Sequence, residues 1–428
     1  MVKVAWLCNF PTRDIAVKEN LMNVPGEGWI EGMLDGFKMS GEVDVSITLI
    51  FPQDKQKTML MGELNKIKYF GYYERNEKGN GNSREYLQNA IDMIAPDILH
   101  LNGTEFKHSE IAAEIAKKKG IKTIVSMQGV LSSCQTHVLD GVPVLTALGF
   151  TFRDFIRFDN LYVKKKKFEK RAQSEIRCLR TVDHAIGRTE YDKAYVRCIS
   201  TSIRYYKCGE NLRSVFYEDR KWSIDSCNKK SIFISQSYLP FKGFHIALEG
   251  LAILKKIYPD LTVRISGWNI TAYKTLNDKL RITSYGRYLR KLIQKYDLRE
   301  NLEFIGVLDK VQMKEELMKA NVFLLPSVIE NSPNSLGEAM LTGTPVVAAN
   351  VGGVCDIITH EKEGVLYQWN EPVMLAHSIS RIFDDDKIAD YYSKNAEKRA
   401  SCQYDRELNA RTLVNIYKKI IGSSSVGD

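Results

Sequence analysis

Two glutamates eight positions apart, Glu330 and Glu338, flank the segment of this chain best suited to chemistry on a charged, hydroxyl-rich ligand. The apolar run ending at Pro326 predicts a buried strand, followed by a turn into a helix. Ser332 suits the N-cap and Pro333 the first helical position. Unpaired N–H groups at a helix start favour an anion. Carboxylates beside such an anion site indicate a ligand that is both phosphorylated and rich in hydroxyls, as a nucleotide sugar is.

A lysine after another predicted strand fits the same ligand. Lys242 follows the strand predicted at Ser231–Ser235 and precedes Gly243 and a helix. An ammonium group there can offset the charge of a leaving diphosphate. The alternative is an ordinary surface lysine.

Polar residues also follow predicted strands in the N-terminal half. Asn102–His108 follows the strand at Asp97–Leu101, and Ser126–Val130 follows the strand at Thr123–Met127. Open α/β sheets bind ligands at such strand ends. We therefore expect a second binding region there, formed by Asn102, Gly103, Thr104, His108 and Gln128. His108 is either a base for an acceptor or a solvated loop histidine.

Two further features of the N-terminal half are open to two interpretations. Gly28 belongs to the loop Gly26–Trp29, which either approaches a ligand closely or is a plain turn. Arg188 precedes Thr189, a suitable cap for the next helix, and its side chain either points into a cleft or serves the local structure.

Strand and helix patterns alternate through both halves, which predicts parallel sheets with helices on both faces. A chain of 428 residues is too long for one core, so two domains are expected. The stretch 206–230 is polar and lacks a period, which is typical of a linker. We predict one domain at 1–205, a second at 231–404, and a C-terminal helix within 405–428 that returns to the first domain.

Three motifs carry a resemblance to a known family. They are ENSPNSLGEAM around Glu330 and Glu338, TGTPVVAANVGG at Thr342–Gly353, and YLPFKGFHIALEGLAIL at Tyr238–Leu254. Together they resemble the family 4 retaining glycosyltransferases (group 1 glycosyltransferases). The resemblance is specific over about residues 230–370. It implies an α/β fold of the GT-B type, with two Rossmann-like domains facing a cleft.

The resemblance also implies roles. The catalytic residues would be Glu330, Lys242 and Gln128. Glu330 would contact hydroxyls of the donor sugar and Lys242 the diphosphate, while Glu338 would bind the nucleotide ribose. The remaining donor-binding residues would be Asn331, Ser332, Pro333, Asn334, Ser335, Leu336, Gln236 and Gly28. The acceptor-binding residues would be Asn102, Gly103, Thr104, His108 and Arg188.

The chain departs from the family pattern at two of these positions. Gln236 stands where relatives usually carry an arginine beside the diphosphate, and Arg264 or Arg188 is a possible substitute. Gln128 stands where many relatives carry a histidine near the donor sugar. Glutamine can hydrogen-bond a hydroxyl but is neither acid nor base at neutral pH, so we assign Gln128 a positioning role.

The segment Phe150–Arg171 combines aromatic residues with a basic cluster that includes Lys164–Lys167. On one helix its apolar residues would share a face, interrupted at Asp159. Such a helix fits the surface of an anionic membrane. The alternative is a helix packed in the core with a solvated charge run.

The bulk composition excludes few classes of function. The net charge of +9 is mildly basic, and no motif indicates nucleic acid or a metal site. Eight scattered cysteines indicate reduced thiols, as in the cytosol, and no run approaches a membrane span in length.

The combined expectation is a metal-independent retaining hexosyltransferase that needs no cofactor. Its donor is a nucleotide sugar, with UDP favoured over GDP. Its acceptor is a glycan, expected on a polyprenyl diphosphate in surface polysaccharide synthesis, which places the enzyme in the cytoplasm or peripherally on the inner face of the plasma membrane. The alternatives are a GT-B nucleotide-sugar epimerase and a non-catalytic subunit that binds nucleotide sugars.

Overall fold

A computed structural model describes residues 1–21, 28–41, 44–56, 58–74 and 83–422. The strands in these residues are β1 Val2–Leu7, β2 Val45–Gln53, β3 Leu60–Leu64, β4 Ile67–Tyr73, β5 Ile98–Asn102, β6 Lys122–Ser126, β7 His184–Gly187, β8 Arg204–Lys207, β9 Asn228–Ile234, β10 Thr262–Ser266, β11 Leu302–Gly306, β12 Ala320–Leu325, β13 Val346–Ala349 and β14 Val365–Tyr367.

The helices in the same residues are α1 Arg13–Lys18, α2 Gly28–Ser40, α3 Ser83–Ile94, α4 Lys107–Lys119, α5 Leu131–His137, α6 Val144–Leu148, α7 Phe152–Arg157, α8 Leu161–Leu179, α9 Glu190–Ile199, α10 Phe244–Ile257, α11 Leu276–Arg281, α12 Ser284–Lys295, α13 Lys310–Lys319, α14 Asn334–Thr342, α15 Val354–Ile357, α16 Pro372–Asp384, α17 Asp386–Gln403 and α18 Arg406–Gly422. Short 3-10 turns lie at Ser214–Tyr217, Pro240–Lys242 and Arg299–Asn301.

The chain divides into two units. Unit 1 comprises the described parts of Met1–Ser132, Lys170–Arg213 and Tyr404–Asp428, and unit 2 comprises Ser133–Glu169 and Ser214–Gln403. The predicted boundaries placed residues 133–169 in the N-terminal domain, so the structure corrects them there.

Two hydrogen bonds give the reason for this correction. The carbonyl oxygen of Asp140 accepts from Nε2 of His245 at 3.0 Å. The buried carboxylate of Asp154 accepts from the backbone N–H of Ser284 at 2.7 Å. Such tertiary contacts hold Ser133–Glu169 in unit 2, and no local pattern in the sequence predicts them.

The sheet of unit 1 has the strand order β3-β4-β2-β1-β5-β6-β7-β8. All neighbours are parallel except β3, which runs antiparallel to β4. The central strand β5 is buried along its whole length, as expected for a parallel strand covered by helices on both faces. Strands β1, β5, β6 and β7 therefore end at one edge, where Asn102, Ser126 and Arg188 follow or close them.

Helix α18 completes unit 1 by packing against α2. The phenol of Tyr417 on α18 accepts from Nε1 of Trp6 at 2.9 Å and contacts Nδ1 of His100. Nε2 of His100 lies 2.7 Å from Oγ of Ser126. The C-terminal helix is thus tied to two neighbouring strands of the sheet.

The sheet of unit 2 is parallel throughout, in the order β11-β10-β9-β12-β13-β14. Strand β12 (ANVFLL) is fully buried, which explains its continuous apolar sequence. Helices α10 and α16 pack together, and α14 packs against α17. Because β9 and β12 are neighbours, the loops that follow them lie side by side at the carboxyl edge of the sheet.

The helix predicted across Phe150–Arg171 is two helices. Phe158 takes a left-handed conformation (φ 46°) that ends α7, and the side chain of Asn160 accepts from the N–H of Val163 at the start of α8. A left-handed residue followed by a side-chain cap breaks the chain between the helices. Among the described residues, no helix is long and apolar enough to cross a membrane.

Candidate functional site

The site in unit 2 is built where the loops after β9 and β12 meet. The N–H of Val328 donates to the carbonyl of Phe241 at 2.9 Å, which joins the two loops. Gly243 takes φ +70°, and a Cβ there would lie 1.8 Å from the carbonyl oxygen of Pro326. Only glycine permits this approach, so Gly243 is what allows the preceding Lys242 to reach the loop after β12.

Lys242 and Glu330 form an ion pair, with Nζ 2.6 Å from Oε1. The hydroxyl of Ser327 donates to the same carboxylate oxygen at 2.7 Å. The carbonyl of Glu330 also accepts from the N–H of Gly353 at 3.1 Å, so the loop after β13 holds its backbone. The side chains are largely buried, with 19% of Lys242 and 10% of Glu330 exposed, so the pair is well shielded from solvent.

Helix α14 starts one residue later than predicted. Pro333 is the N-cap and Asn334 the first helical residue, whereas the sequence indicated Ser332 and Pro333. Proline has no side-chain acceptor, so the N-cap residue makes no side-chain hydrogen bond to this helix. Its first turn, which follows Glu330 closely in the chain, has the positive character of a helix start.

The other predicted donor residues lie on or before this helix. Asn331, Ser332 and Glu338 are buried, and Glu338 is only 4% exposed. Asn334 and Ser335 are half-buried. The side chain of Leu336 is fully buried in the core, so this residue can meet a ligand only through its backbone.

Two residues were considered as substitutes for the missing arginine, Arg264 and Arg188, and both are paired with carboxylates. Gln236 is exposed in the loop after β9. Arg264 lies within β10 and donates to Glu316 at 2.5 and 3.1 Å and also to Glu303. These bonds raise the pKa of Arg264, the Glu316 bond most strongly, and fix it as a structural ion pair. The expectation that Arg264 serves the diphosphate is not supported.

A second candidate region lies at the carboxyl edge of unit 1, where a small cavity opens. Asn102, Ser126, Arg188, Glu210 and Trp29 are among its lining residues. The structure therefore brings together the strand ends that the sequence predicted as one region. The start of α2 contributes Trp29, whereas Gly26 and Glu27 of the predicted loop lie outside the described residues.

Arg188 is paired inside unit 1. Its guanidinium contacts the carboxylate of Glu210, and both side chains are buried. Nη2 donates to the carbonyl of Met127 at 3.1 Å and approaches the carbonyl of Gln128. Burial raises the pKa of Glu210, while the charge of Arg188 opposes that rise. The arginine holds buried groups together, which favours the local interpretation of this residue.

Gln128 joins this cluster, because its side-chain amide donates to Glu210. Glu210 itself was missed, since it falls in the stretch 206–230 that the sequence indicated as a linker. A single glutamate in a polar stretch carries no signal of burial.

Most side chains of the predicted acceptor-binding residues are hydrogen-bonded to other groups of unit 1. Thr104 donates to Glu175 at 2.6 Å, and that buried carboxylate also accepts from the N–H groups of Leu131 and Ser132. The amide of Asn102 lies 3.7 Å from the thiol sulfur of Cys8. Gly103 takes φ +107°, which suits the tight turn after β5. Thr104 thus fixes a loop, while Asn102 still lines the cavity.

His108 is not a solvated loop histidine. It lies in the first turn of α4, is 3% exposed, and stacks on Phe106 with ring centres 5.6 Å apart. Its Nε2 is 3.0 Å from Oδ1 of Asn9. Gly28, the first residue of α2, packs against the side chain of Arg213, where a Cβ would come within 2.5 Å of Cγ. Both positions serve packing in unit 1.

The apolar residues of the segment predicted for a membrane are exposed. Leu148, Phe150, Phe152, Phe155, Ile156, Phe158 and Tyr162 are all at least 44% exposed, and Val144 and Leu145 on α6 are exposed too. We call residues 144–158 the apolar surface. It lies in unit 2 beside the exposed Lys166 and Lys167 at the start of α8. The alternative of a core-packed helix is therefore wrong for these side chains.

Comparison with known proteins bears on the C-terminal part of the chain. Residues 217–399 match the family described as glycosyl transferases group 1. An uncharacterised glycosyltransferase of Methanocaldococcus jannaschii is 33% identical over 33% of this chain and 37% of its own length. A putative colanic acid biosynthesis glycosyltransferase of Escherichia coli is 29% identical over 42% of each chain. The matches span less than half the length of these two relatives.

A solved structure extends the likeness to the whole chain. HepE from Anabaena, in complex with UDP and glucose, superposes with a TM-score of 0.67 over 98% of this chain and 100% of that chain, at 15% identity. At that identity the likeness establishes the fold alone. The chain therefore has the GT-B fold, and its residues 217–399 are similar to the group 1 glycosyl transferases.

Proposed function

We propose that this protein is a retaining glycosyltransferase that moves a sugar from a nucleotide-sugar donor to a glycan acceptor. The observation that carries the proposal is the Lys242–Glu330 ion pair, whose glutamate lies four residues before the start of α14. Together they offer positive charge for a diphosphate and a carboxylate for sugar hydroxyls at one edge of unit 2. We assign donor binding to unit 2 and acceptor binding to unit 1.

The reaction breaks the bond between the anomeric carbon and the diphosphate oxygen and forms a bond to an acceptor hydroxyl oxygen. Negative charge develops on the diphosphate, and positive charge on the anomeric carbon. Lys242 and the N–H groups at Asn334 and Ser335 would stabilise the diphosphate without a metal. Glu330 would hold the sugar, and buried Glu338 would accept from the ribose.

Lys242 and Ser327 both donate to Oε1 of Glu330. These bonds withdraw electron density from the carboxylate and weaken it as a nucleophile. We therefore favour attack from the same face as the departing group. The acceptor proton would pass to the leaving phosphate oxygen, so that no protein base is needed and the configuration is retained.

The assignments of the donor base and of the acceptor rest on resemblance. A UDP-sugar is favoured over a GDP-sugar, and HepE was solved with UDP and glucose. A relative named for colanic acid biosynthesis supports an acceptor in surface polysaccharide synthesis, such as a polyprenyl-diphosphate-linked glycan. Gln128 would position the acceptor region through Glu210.

A turnover assay tests the proposal. The full chain is incubated with UDP- and GDP-sugars, with and without a polyprenyl-diphosphate-linked glycan. Release of the nucleoside diphosphate and the anomeric configuration of the product are then measured. Acceptor-dependent release with a retained configuration supports the proposal. An epimerised donor formed without acceptor would establish the epimerase instead, and binding without turnover would establish a binding subunit.

We further propose that the protein works at the cytoplasmic face of an anionic membrane, to which the apolar surface and Lys164–Lys167 would attach it. Exposed aromatic rings insert at the interface, and lysines near the surface add roughly 1 kcal/mol each on anionic lipid. Segment Phe150–Arg171 carries eight basic and three acidic residues, so its charge suits such a surface.

Sedimentation with phosphatidylcholine vesicles, with and without phosphatidylglycerol, tests this attachment. Replacing Lys164–Lys167 by glutamine should lower binding to the anionic vesicles only. A matched control replaces four exposed lysines elsewhere in unit 2, namely Lys229, Lys387, Lys394 and Lys398. Equal loss in both variants would show a general charge effect and contradict the assignment to this segment.

A further inference from the structure

Two aromatic rings stand together at the carboxyl edge of the unit 2 sheet. Tyr238 in the loop after β9 and Trp268 in the loop after β10 have ring centres 5.3 Å apart, at an angle of 48°. Trp268 is 66% exposed, whereas Trp6, Trp29 and Trp222 are buried. Tryptophan is highly buried on average, so an indole exposed at the ligand edge of a parallel sheet calls for an explanation.

The backbone around Trp268 is fixed from both sides. The hydroxyl of Ser266 donates to the carbonyl of Ser235 at 2.7 Å, and the N–H of Gly267 donates to the carbonyl of Gly306 at 2.7 Å. These bonds tie the loop after β10 to the ends of β9 and β11. Gly267 itself takes φ +98°, which turns the chain directly before the indole. The backbone that carries Trp268 is therefore held in place before any ligand arrives.

The ring pair is adjacent to the charged part of the site. Tyr238 precedes Lys242 by four residues in the same loop, and Lys242 contacts Glu330. In the strand order β10-β9-β12, Trp268 follows the first strand and Glu330 the last. Neighbouring strands are about 4.8 Å apart, so the edge offers an aromatic surface about two strand spacings from the carboxylate.

We propose that Tyr238 and Trp268 form a platform on which the base of the nucleotide sugar stacks, an inference that rests on the proposed function. A nucleotide sugar has one flat aromatic group, its base, while its sugars and diphosphate are polar. Lys242, Glu330 and the start of α14 match the polar part, and the two rings match the base. Every base has such a face, so the platform contributes affinity without selecting uracil or guanine.

Calorimetric titration of the full chain with UDP, GDP and ribose 5-diphosphate, which lacks a base, tests the platform. Stacking on an aromatic side chain implies that Trp268→Ala weakens the tighter-binding nucleotide by roughly fivefold to a hundredfold. Affinity for ribose 5-diphosphate should stay unchanged, because its diphosphate and ribose contacts remain. Trp268→Phe should keep most of the affinity.

Trp369→Ala is the matched control, because Trp369 follows β14 at the far end of the same sheet edge and is half-buried. It should bind all three ligands as the wild type does. Equal nucleotide affinity in Trp268→Ala and the wild type overturns the platform, and so does an equal loss for ribose 5-diphosphate, which would indicate a collapsed loop. A wild-type protein that binds none of the three ligands overturns the donor site itself, and the platform with it.

Discussion

Nζ of Lys242 lies 2.6 Å from Oε1 of Glu330, although 88 residues separate them in the chain. The two side chains that the resemblance assigns to the diphosphate and to the sugar are therefore joined directly. An ammonium group has three donors, so Lys242 can bind a phosphate while it holds Glu330. The pair couples the position of the sugar to the charge on the leaving group.

Lys242→Ala should lower kcat by roughly 100- to 1000-fold and raise KM far less. The positive charge is needed most when the diphosphate departs, so its loss weakens the transition state more than the bound donor. Steady-state kinetics with a saturating acceptor measure both constants. Lys229→Ala, an exposed lysine before the same loop, is the control. A raised KM with unchanged kcat would make Lys242 a binding residue only.

Gly243→Ala should destabilise unit 2 by more than about 2 kcal/mol, because a left-handed conformation and a backbone clash with Pro326 combine at this position. Gly306→Ala is a matched control: Gly306 takes φ +79°, but a Cβ added there would meet nothing within 4 Å. It should carry the conformational cost alone, about 1–2 kcal/mol. Thermal unfolding compares the two variants, and equal shifts in Tm would show that the approach of Pro326 is unimportant.

Arg188→Met should destabilise unit 1 by about 3–5 kcal/mol, since it leaves the buried Glu210 without its partner. The double variant Arg188→Met/Glu210→Gln should recover much of that loss, because no charge is then stranded. Arg411→Met, which breaks the exposed pair with Glu407, should change stability by less than about 1 kcal/mol. Urea unfolding followed by circular dichroism compares them. A cost for Arg188→Met no greater than for Arg411→Met would refute the buried pair.

The stabilisation that depends on two buried neutral histidines, His100 and His245, should be lost as the pH falls from about 6.5 to about 3. Burial lowers the pKa of His245 to about 4, and burial lowers the pKa of His100 to about 3. Below pH 6.5 these histidines bind protons in the unfolded chain but stay neutral in the folded chain, so acid favours unfolding. Above pH 6.5 the stabilisation is fully present. Each pKa unit corresponds to about 1.4 kcal/mol.

Replacing His245 by glutamine isolates one of these groups. Glutamine can still donate to the carbonyl of Asp140 but does not titrate. The variant should be less stable than the wild type at pH 7.5 and should show a shallower fall in Tm between pH 6.5 and 4. Identical slopes for both proteins would mean that His245 does not stay neutral in the folded state.

Much of the fold could be predicted from the sequence, because buried parallel strands are continuous apolar runs. The strands predicted at Asp97–Leu101 and Thr123–Met127 are β5 and β6, each displaced by one residue. Strands β3 and β4 were missed, since β3 alternates between half-buried and exposed residues at a sheet edge. The break at Phe158 was missed because a left-handed phenylalanine has no sequence signal.

The site was predictable where a motif spans it and unpredictable where tertiary contacts build it. The segment around Glu330 and the position of Lys242 were identified from local spacing. Their contact with each other, the support from Ser327 and the burial of Glu210 depend on loops that only the folded sheet brings together. Trp268 was missed for the same reason, because exposure of an aromatic residue cannot be read from its neighbours in the chain.

The most direct test of a nucleotide-sugar site in unit 2 is the thermal stability of the full chain with a panel of nucleotide sugars and free nucleotides. A ligand that binds only the folded state raises the Tm, and the shift grows with its concentration. We expect a shift with one base and one sugar, and its loss in Glu338→Ala, where the buried ribose acceptor is absent. No shift with any ligand, or the same shift in Glu338→Ala, would contradict the assignment.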